Sequence, residues 1–211
     1  MLFIIIKPLL ILYKSIFQLN MKIYDCFMFF DEEMLLDLRL NIMNDFVDRF
    51  VVTEATYMHN GKPKKLNFDI NKFSKFKDKI IYIVVNNQPP DLYKLNDNDK
   101  DEKDTWGQKL VLNGYKRDNF QRQMAQRALT NLEPDDWIII NDIDEIPNME
   151  KIKFNEIKNK FVIFKQKIFY YKFNLLYPNV PWFGSRACKK KDFSSPQWLR
   201  NVKHKKYPIW R

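Results

Sequence analysis

Four short runs of almost uninterrupted apolar residues set the strongest limit on what this chain can fold into: KIYDCFMFF (residues 22–30), RFVVTEA (49–55), KIIYIVVN (79–86) and DDWIIIND (135–142). Runs of this length, rich in β-branched and aromatic residues, suit strands covered on both faces rather than strands with one wet side. A helical pattern follows the first run. Asp31 stands where an N-cap is expected, and Glu32 and Glu33 lie where the positive end of a helix dipole favours carboxylates. Leu35, Leu38, Ile42 and Phe46, flanked by Met43 and Val47, then keep an apolar stripe at helical spacing. Strand, helix and strand in this order normally give two parallel strands with a right-handed crossover.

The remaining chain continues the alternation. HNGKP (59–63) carries turn chemistry, residues 88–104 read as a polar surface loop, and Phe120, Met124, Ala128 and Leu132 space a helix over 119–132. EKIKFNEIKNK (150–160) suggests a short helix, and FVIFKQKIFYYKFNLLY (161–177) one long or two successive strands. Aromatic side chains occupy both alternating faces of that segment, with Phe161, Phe169, Tyr171 and Phe173 on one and Phe164 and Tyr170 on the other. Core packing against helices on both sides is the expected role, and a sugar-stacking platform the alternative. The predicted architecture is an α/β domain with a mostly parallel sheet.

At 211 residues the chain is sized for one domain, and its 45% hydrophobic and 16% aromatic content excludes disordered and fibrous classes. The net charge of +10 invites a nucleic-acid reading, but the lysines are spread along the whole chain instead of forming a stripe. A solvated basic surface is expected, with no nucleic-acid partner. CKKKDF (188–193) is the densest basic cluster and retains the option of an anionic ligand. Cys26 and Cys188 fit no metal or redox spacing and read as small buried apolar residues. Residues 1–20 are apolar but interrupted by Lys7, Pro8 and Lys14, short of the roughly 18 unbroken apolar residues that mark a membrane span. They read as a weak membrane anchor or an unstructured extension, with Met21 an alternative start.

The chemistry concentrates at WIIINDIDEIPN (137–148), where a buried strand runs directly into Asp142, Asp144 and Glu145. Ligands of open parallel sheets bind outside the carboxyl ends of the strands. Two aspartates one residue apart at such an end present the hard oxygens that suit Mg²⁺ or Mn²⁺, though acids there can also cap a helix or begin a loop. The chain has only four glycines and neither a GxGxxG nor a GxxxxGK pattern, so no backbone cradle for phosphate is encoded. A nucleoside diphosphate would need a cation and side chains such as Arg122, Arg127 and Arg186. Residues 97–108 imitate a calcium loop but carry Glu102 and Gln108 at the positions of its obligatory glycine and glutamate. His59 and His204 have no ligand-spaced neighbours.

KIYDCFMFFDEEMLLDLR, DRFVVTEATYMHNGKPKKLNF, the Gln121–Arg122 pair, DDWIIINDIDEIPN, FYYKFN, WFGSR and the Leu199–Arg200 pair occur in this order. Together they resemble glycosyltransferase family 17, the family of β-1,4-mannosyl-glycoprotein 4-β-N-acetylglucosaminyltransferase, over about residues 22–200. The resemblance implies a single GT-A-like, Rossmann-like domain over residues 21–211. It implies transfer of GlcNAc or a similar sugar with inversion, from a UDP-sugar such as UDP-GlcNAc to a glycan or glycoprotein acceptor. It also implies a divalent metal, Mn²⁺ or Mg²⁺, with Asp144 as metal ligand and Asp142 beside the ribose or the metal. Thr53 and Glu54, closing the second strand, are the candidate nucleoside contacts, with Glu54 equally readable as a capping or ion-paired residue. Inversion requires a base, for which Glu145 and Asp192 are candidates. Animal members of the family are Golgi membrane proteins. Similar members continue into a glycine-tryptophan-histidine segment that KKYPIWR at the end of this sequence does not match. A C-terminally truncated domain is therefore expected. Two alternatives stay open here: an inactive fragment with a binding role, and a metal-dependent phosphoryl-transfer or nuclease domain resting on Asp142, Asp144 and the net charge.

Overall fold

The computed structural model describes residues 21–96, 105–172 and 174–203. The expectations for residues 1–20, for the first part of the calcium-like loop, for Phe173 and for His204 lie outside these residues. The four apolar runs form strands β1 (Ile23–Met28), β2 (Arg49–Ala55), β3 (Ile80–Val85) and β4 (Trp137–Ile140). All four are parallel, with β1 between β2 and β4. Strands β5 (Phe161–Ile163) and β8 (Arg186–Lys189) complete a six-stranded sheet of order β3-β2-β1-β4-β8-β5, in which β8 runs antiparallel to both neighbours. The sheet is α/β and mostly parallel, as the alternation predicts. Its order reverses between β1 and β4, where such folds open a ligand crevice at the strand ends.

The runs lack alternation because both faces of the sheet are covered. Phe27, Val52, Trp137 and Ile139 pack on one side with Leu36, Leu40 and Met43 of helix α1 (Glu33–Met43). Cys26, Val51, Ile138 and Ile140 pack on the other with Leu129, Cys188 and Leu199. Both cysteines are free and buried in this second layer.

Helix α1 forms where expected but is turned on its axis. Its buried face is Leu36, Arg39, Leu40 and Met43, while Leu38 and Ile42 of the expected stripe face solvent. The cause is Arg39, a charged residue that an apolar template rejects. It lies at 0% exposure because Asp25 of β1 meets it as a bidentate partner, with Nε to Oδ2 at 2.8 Å and Nη2 to Oδ1 at 2.6 Å. The Phe27 ring covers the guanidinium at 4.7 Å. Asp31 is not the cap: position 32 is, and the Glu32 carboxylate turns back to accept from the amides of Phe30 and Asp31.

Helix α2 (Thr105–Gln123) starts well before the expected position, and a 3-10 segment, Met124–Ala128, continues it. Its inner side is polar, so hydrophobic periodicity does not report it. Asn113 exchanges two hydrogen bonds with the backbone of Tyr93, and Arg117 donates to Gln88 and to the His59 carbonyl, while Val111, Leu112 and Tyr115 are exposed. Residues 150–160 make two 3-10 turns, Met149–Lys151 and Phe154–Glu156, in place of a helix. The aromatic segment splits after β5, and β6 (Gln166–Phe169) pairs with β7 (Leu176–Trp182) in a separate two-stranded sheet. Helix α3 (Pro196–Arg200) closes the described chain, with Ser195 accepting from Trp198 as its cap. The lysines of CKKKDF are satisfied internally, Lys189 and Lys191 by Asp135 and Lys190 by the Leu129 carbonyl. Among the described residues no helix is long and apolar enough to cross a membrane.

Removing one member of a fully buried ion pair strands the other, at a typical cost of about 3–5 kcal/mol. Asp25→Ala is therefore expected to lower the unfolding free energy by about that amount in urea titration, and a loss below about 1 kcal/mol would show that the pair does not anchor α1.

Candidate active site

The acidic loop after β4 takes its shape from the Arg39–Asp25 pair. Arg39 Nη1 donates to the carbonyls of Asp142 (3.3 Å), Ile143 (3.3 Å) and Glu145 (2.9 Å), and Asn141 donates to Asp25 at 2.6 Å. The loop also closes on itself. The Glu145 amide donates to the Asp142 carbonyl at 3.0 Å, and the Asp142 amide to Glu145 Oε2 at 3.0 Å. Buried carbonyls and carboxylates thus receive fixed donors, as a turn emerging from a buried strand requires.

Arginines then neutralise two of the three acids. Asp142 accepts from Arg122 Nη2 at 2.9 Å on one oxygen and from Arg200 Nη2 at 2.5 Å on the other. Glu145, 5% exposed, accepts from both terminal nitrogens of Arg200 at 2.6 and 2.9 Å and from the Trp182 indole at 2.6 Å. Charge-assisted, forked contacts of this kind are the strong ones. The WFGSR segment is built around Glu145. Besides Trp182, Ser185 Oγ donates to the Glu145 carbonyl at 3.2 Å, and a Cβ at Gly184 would lie 1.9 Å from Glu145 Oε1, so only glycine fits. The Gly184 carbonyl accepts from both Arg186 and Arg200. Burial, with Arg200 nearby, lowers the Arg186 pKa to about 10.

Asp144 is treated differently. It is exposed, and among the described residues no other residue donates a hydrogen bond to it. Partial desolvation, then the charges of Glu145 and Asp142, raise its pKa above the usual carboxylate value. Arg200 offsets part of this rise, but among the described residues Asp144 has no ion-pair partner of its own.

A crevice of about 460 Å³ opens beside it at the sheet's switch point. Phe29 and Phe30 line it from the end of β1, Asp142 and Asp144 from the end of β4, and Asp118, Gln121 and Arg122 from α2. His59 stands at its mouth, bonded to Asp118 at 2.6 Å and with its ring nearly parallel to that of Phe30 at 6.3 Å. Burial raises the pKa of Asp118 against the lowering effect of His59. A second cavity, about 780 Å³, lies on the far side of Asp144 and shares Leu35 and Asp144 with the first.

The structure thus brings Asp142, Asp144, Glu145 and Arg122 together, with Arg186 beside them, and leaves Thr53, Glu54, Arg127 and Asp192 elsewhere. Thr53 and Glu54 are buried behind the crevice and line neither cavity. For Glu54 the ion-paired alternative is the one observed: its carboxylate accepts from Lys64, from the amides of Asn67 (2.7 Å) and Phe68 (3.1 Å), and from the Tyr82 hydroxyl (2.8 Å). Arg127 is exposed and donates to the Val84 carbonyl, and Asp192 pairs with Lys160 at 3.9 Å away from both cavities. Sequence reasoning missed Arg39, Arg200, Trp182 and the His59–Asp118 pair. Arg39 and Arg200 do stand within ordered motifs, and a charge in the buried phase of a helix was the available signal for Arg39.

The donor set bears on a metal. Among the described residues no group of three or more His, Cys, Asp or Glu side chains could hold an ion alone. Mg²⁺-type ions in nucleotide sites are commonly held by one or two carboxylates plus substrate phosphates, and Asp144 fits that arrangement as the free carboxylate.

The family described as Glycosyltransferase family 17 matches residues 13–194. The β-1,4-mannosyl-glycoprotein 4-β-N-acetylglucosaminyltransferases of Homo sapiens and Rattus norvegicus are each 32% identical over 124 residues, which is 57% of this chain. The chain spans about a fifth of their length, 21% and 20% respectively. No solved structure matches. With the family pattern covering most of its length, the chain belongs to glycosyltransferase family 17.

Proposed function

We propose that this chain is the donor-binding part of a glycosyltransferase that moves GlcNAc, or a similar sugar, from a UDP-sugar to a mannosyl glycan with inversion. The observation that carries the reading is Asp144, an unmatched carboxylate on the wall of the switch-point crevice beside two acids saturated by arginine. The acceptor class follows the name of the relatives. Asp144, with phosphate oxygens of the donor, would hold Mn²⁺ or Mg²⁺, which when bound supplies positive charge against the departing diphosphate.

The protein's own groups do the rest. Arg122 borders the crevice as a cation beside the diphosphate position, and Asp142 holds it and Arg200 in place. Glu145, both of whose oxygens are occupied, fixes Arg200 and the loop; in this reading it is a positioning residue instead of the base. The crevice, with phenylalanine rings on one wall, separates the donor from bulk water on that side. A two-metal phosphoryl-transfer site would need more free carboxylates than Asp144, since Asp142 is spent on arginines.

UDP with Mn²⁺ is expected to raise the melting temperature, because a ligand that binds only the native state adds about 2.7 kcal/mol at a hundredfold excess over its Kd. Asp144→Ala should remove the shift while leaving the protein folded. Absence of any shift with any UDP-sugar in folded protein would overturn the reading.

Asp144 also yields a pH prediction. Its folded pKa is raised, so its ionised form is disfavoured in the fold. The penalty is fully present above the folded pKa and disappears as pH falls below the unfolded value of about 3.9. Asp144→Asn is therefore expected to melt above the wild-type protein at neutral pH, and the difference should vanish near pH 3 in a calorimetric series.

A further inference from the structure

The β6–β7 hairpin presents aromatic side chains that the core does not use. Phe169 is 47% exposed, Tyr170 52% and Tyr171 94%, against 6% for Phe164 just before the hairpin. The expected core role for this segment therefore fails beyond β5, because the hairpin leaves the main sheet and pairs only with itself. A lone two-stranded unit is marginal in water, and a cluster of exposed rings on it requires an explanation. The rings are ordered against each other, Tyr170 standing edge-on to Tyr171 at 5.4 Å and tilted to Tyr177 at 5.5 Å. The backbone points the same way. The two non-glycine residues with positive φ among those described, Tyr171 at 60° and Asn179 at 67°, are both in this hairpin. A bulky ring held in the left-handed region without burial costs free energy that packing does not return.

Phe169, Tyr170 and Tyr171 line one side of the 780 Å³ cavity, and Met34 and Leu35 of α1, Asp144, Glu145 and Trp182 line it elsewhere. Lys167 and Lys172 place polar groups at its edge. Aromatic faces flanked by a few polar side chains match a pyranose, which has an apolar C–H face and a hydroxyl rim. Because Asp144 and Leu35 belong to both cavities, a sugar on these rings would lie next to the donor crevice, with a hydroxyl close to the transferred group.

We propose that the exposed face of the β6–β7 hairpin is a carbohydrate platform that receives the acceptor glycan, with Tyr170 and Tyr171 as its stacking residues. This rests on the glycosyltransferase reading and adds to it the place and means of acceptor binding. Neither tyrosine touches the acidic loop, and both are exposed, so substitutions there spare the fold.

The test uses the full chain, short oligosaccharides carrying mannosyl, N-acetylglucosaminyl or galactosyl residues, and isothermal titration calorimetry, with the UDP and Mn²⁺ melting shift measured in parallel. A mannosyl oligosaccharide is expected to bind, and Tyr170→Ala and Tyr171→Gly each to weaken it roughly tenfold while leaving the UDP shift intact. Glycine adopts positive φ freely, so Tyr171→Gly should keep or raise the melting temperature, whereas a purely structural tyrosine would lower it. The platform is overturned if no oligosaccharide binds while UDP still does, or if both variants bind sugar like the wild type. It is equally overturned if ultracentrifugation shows a dimer that these substitutions dissolve and no sugar binding. Oligosaccharide binding without a UDP shift would uphold the platform and reject the donor reading.

Discussion

The Arg39–Asp25 pair ties the central sheet, helix α1 and the acidic loop into one unit. A buried guanidinium is tolerable only when its charge is matched and its donors are all used. Asp25 matches the charge, and the spare nitrogen finds three carbonyls of the loop after β4. The loop must therefore present those carbonyls inward. Its side chains at 142 and 144 then turn toward the crevice, and Glu145 turns under Trp182 and Arg200. The position of the candidate site follows from how one buried cation is satisfied.

This arrangement also explains why a basic chain gathers acids at the end of a buried strand. Asp142 and Glu145 are matched by Arg122 and Arg200, with Arg186 close by. Three carboxylates in one turn would repel one another, and the arginines remove that cost for two of them. Asp144 has no ion-pair partner among the described residues, and its pKa is raised by partial desolvation and by the charges of Glu145 and Asp142. The chain is poor in glycine and encodes neither of the usual backbone cradles for phosphate.

Different parts of the fold were legible to different degrees. Strands buried on both faces announce themselves as apolar runs, and all four parallel strands lie inside theirs. Helix α1 lies where the pattern places it but in a different phase, because Arg39, a residue of its buried face, breaks the apolar template. Helix α2 was missed over most of its length because it docks through Asn113 and Arg117, and polar docking leaves no hydrophobic period. The aromatic segment 161–177 reads as core, with a sugar-stacking platform as the alternative, because ring content alone cannot distinguish a buried strand from a displayed one. Of the candidate residues, Asp142, Asp144, Glu145 and Arg122 lie together at the strand end, whereas Thr53 and Glu54 are buried, with Glu54 part of a structural network.

By itself the sequence determined the four parallel strands and the location of the acidic turn, since apolar runs and helical patterns are local properties written in consecutive residues. Only the tertiary structure decided which acid is free. That choice depends on Arg39, Arg122 and Arg200, which lie between 20 and 106 positions away from the acidic-loop carbonyls and carboxylates they hold. It decided the exposure of Tyr170 and Tyr171 as well, because whether a strand joins the main sheet is set by pairing partners distant in the chain. Charge matching and strand pairing act across space, and no window of neighbouring residues contains them.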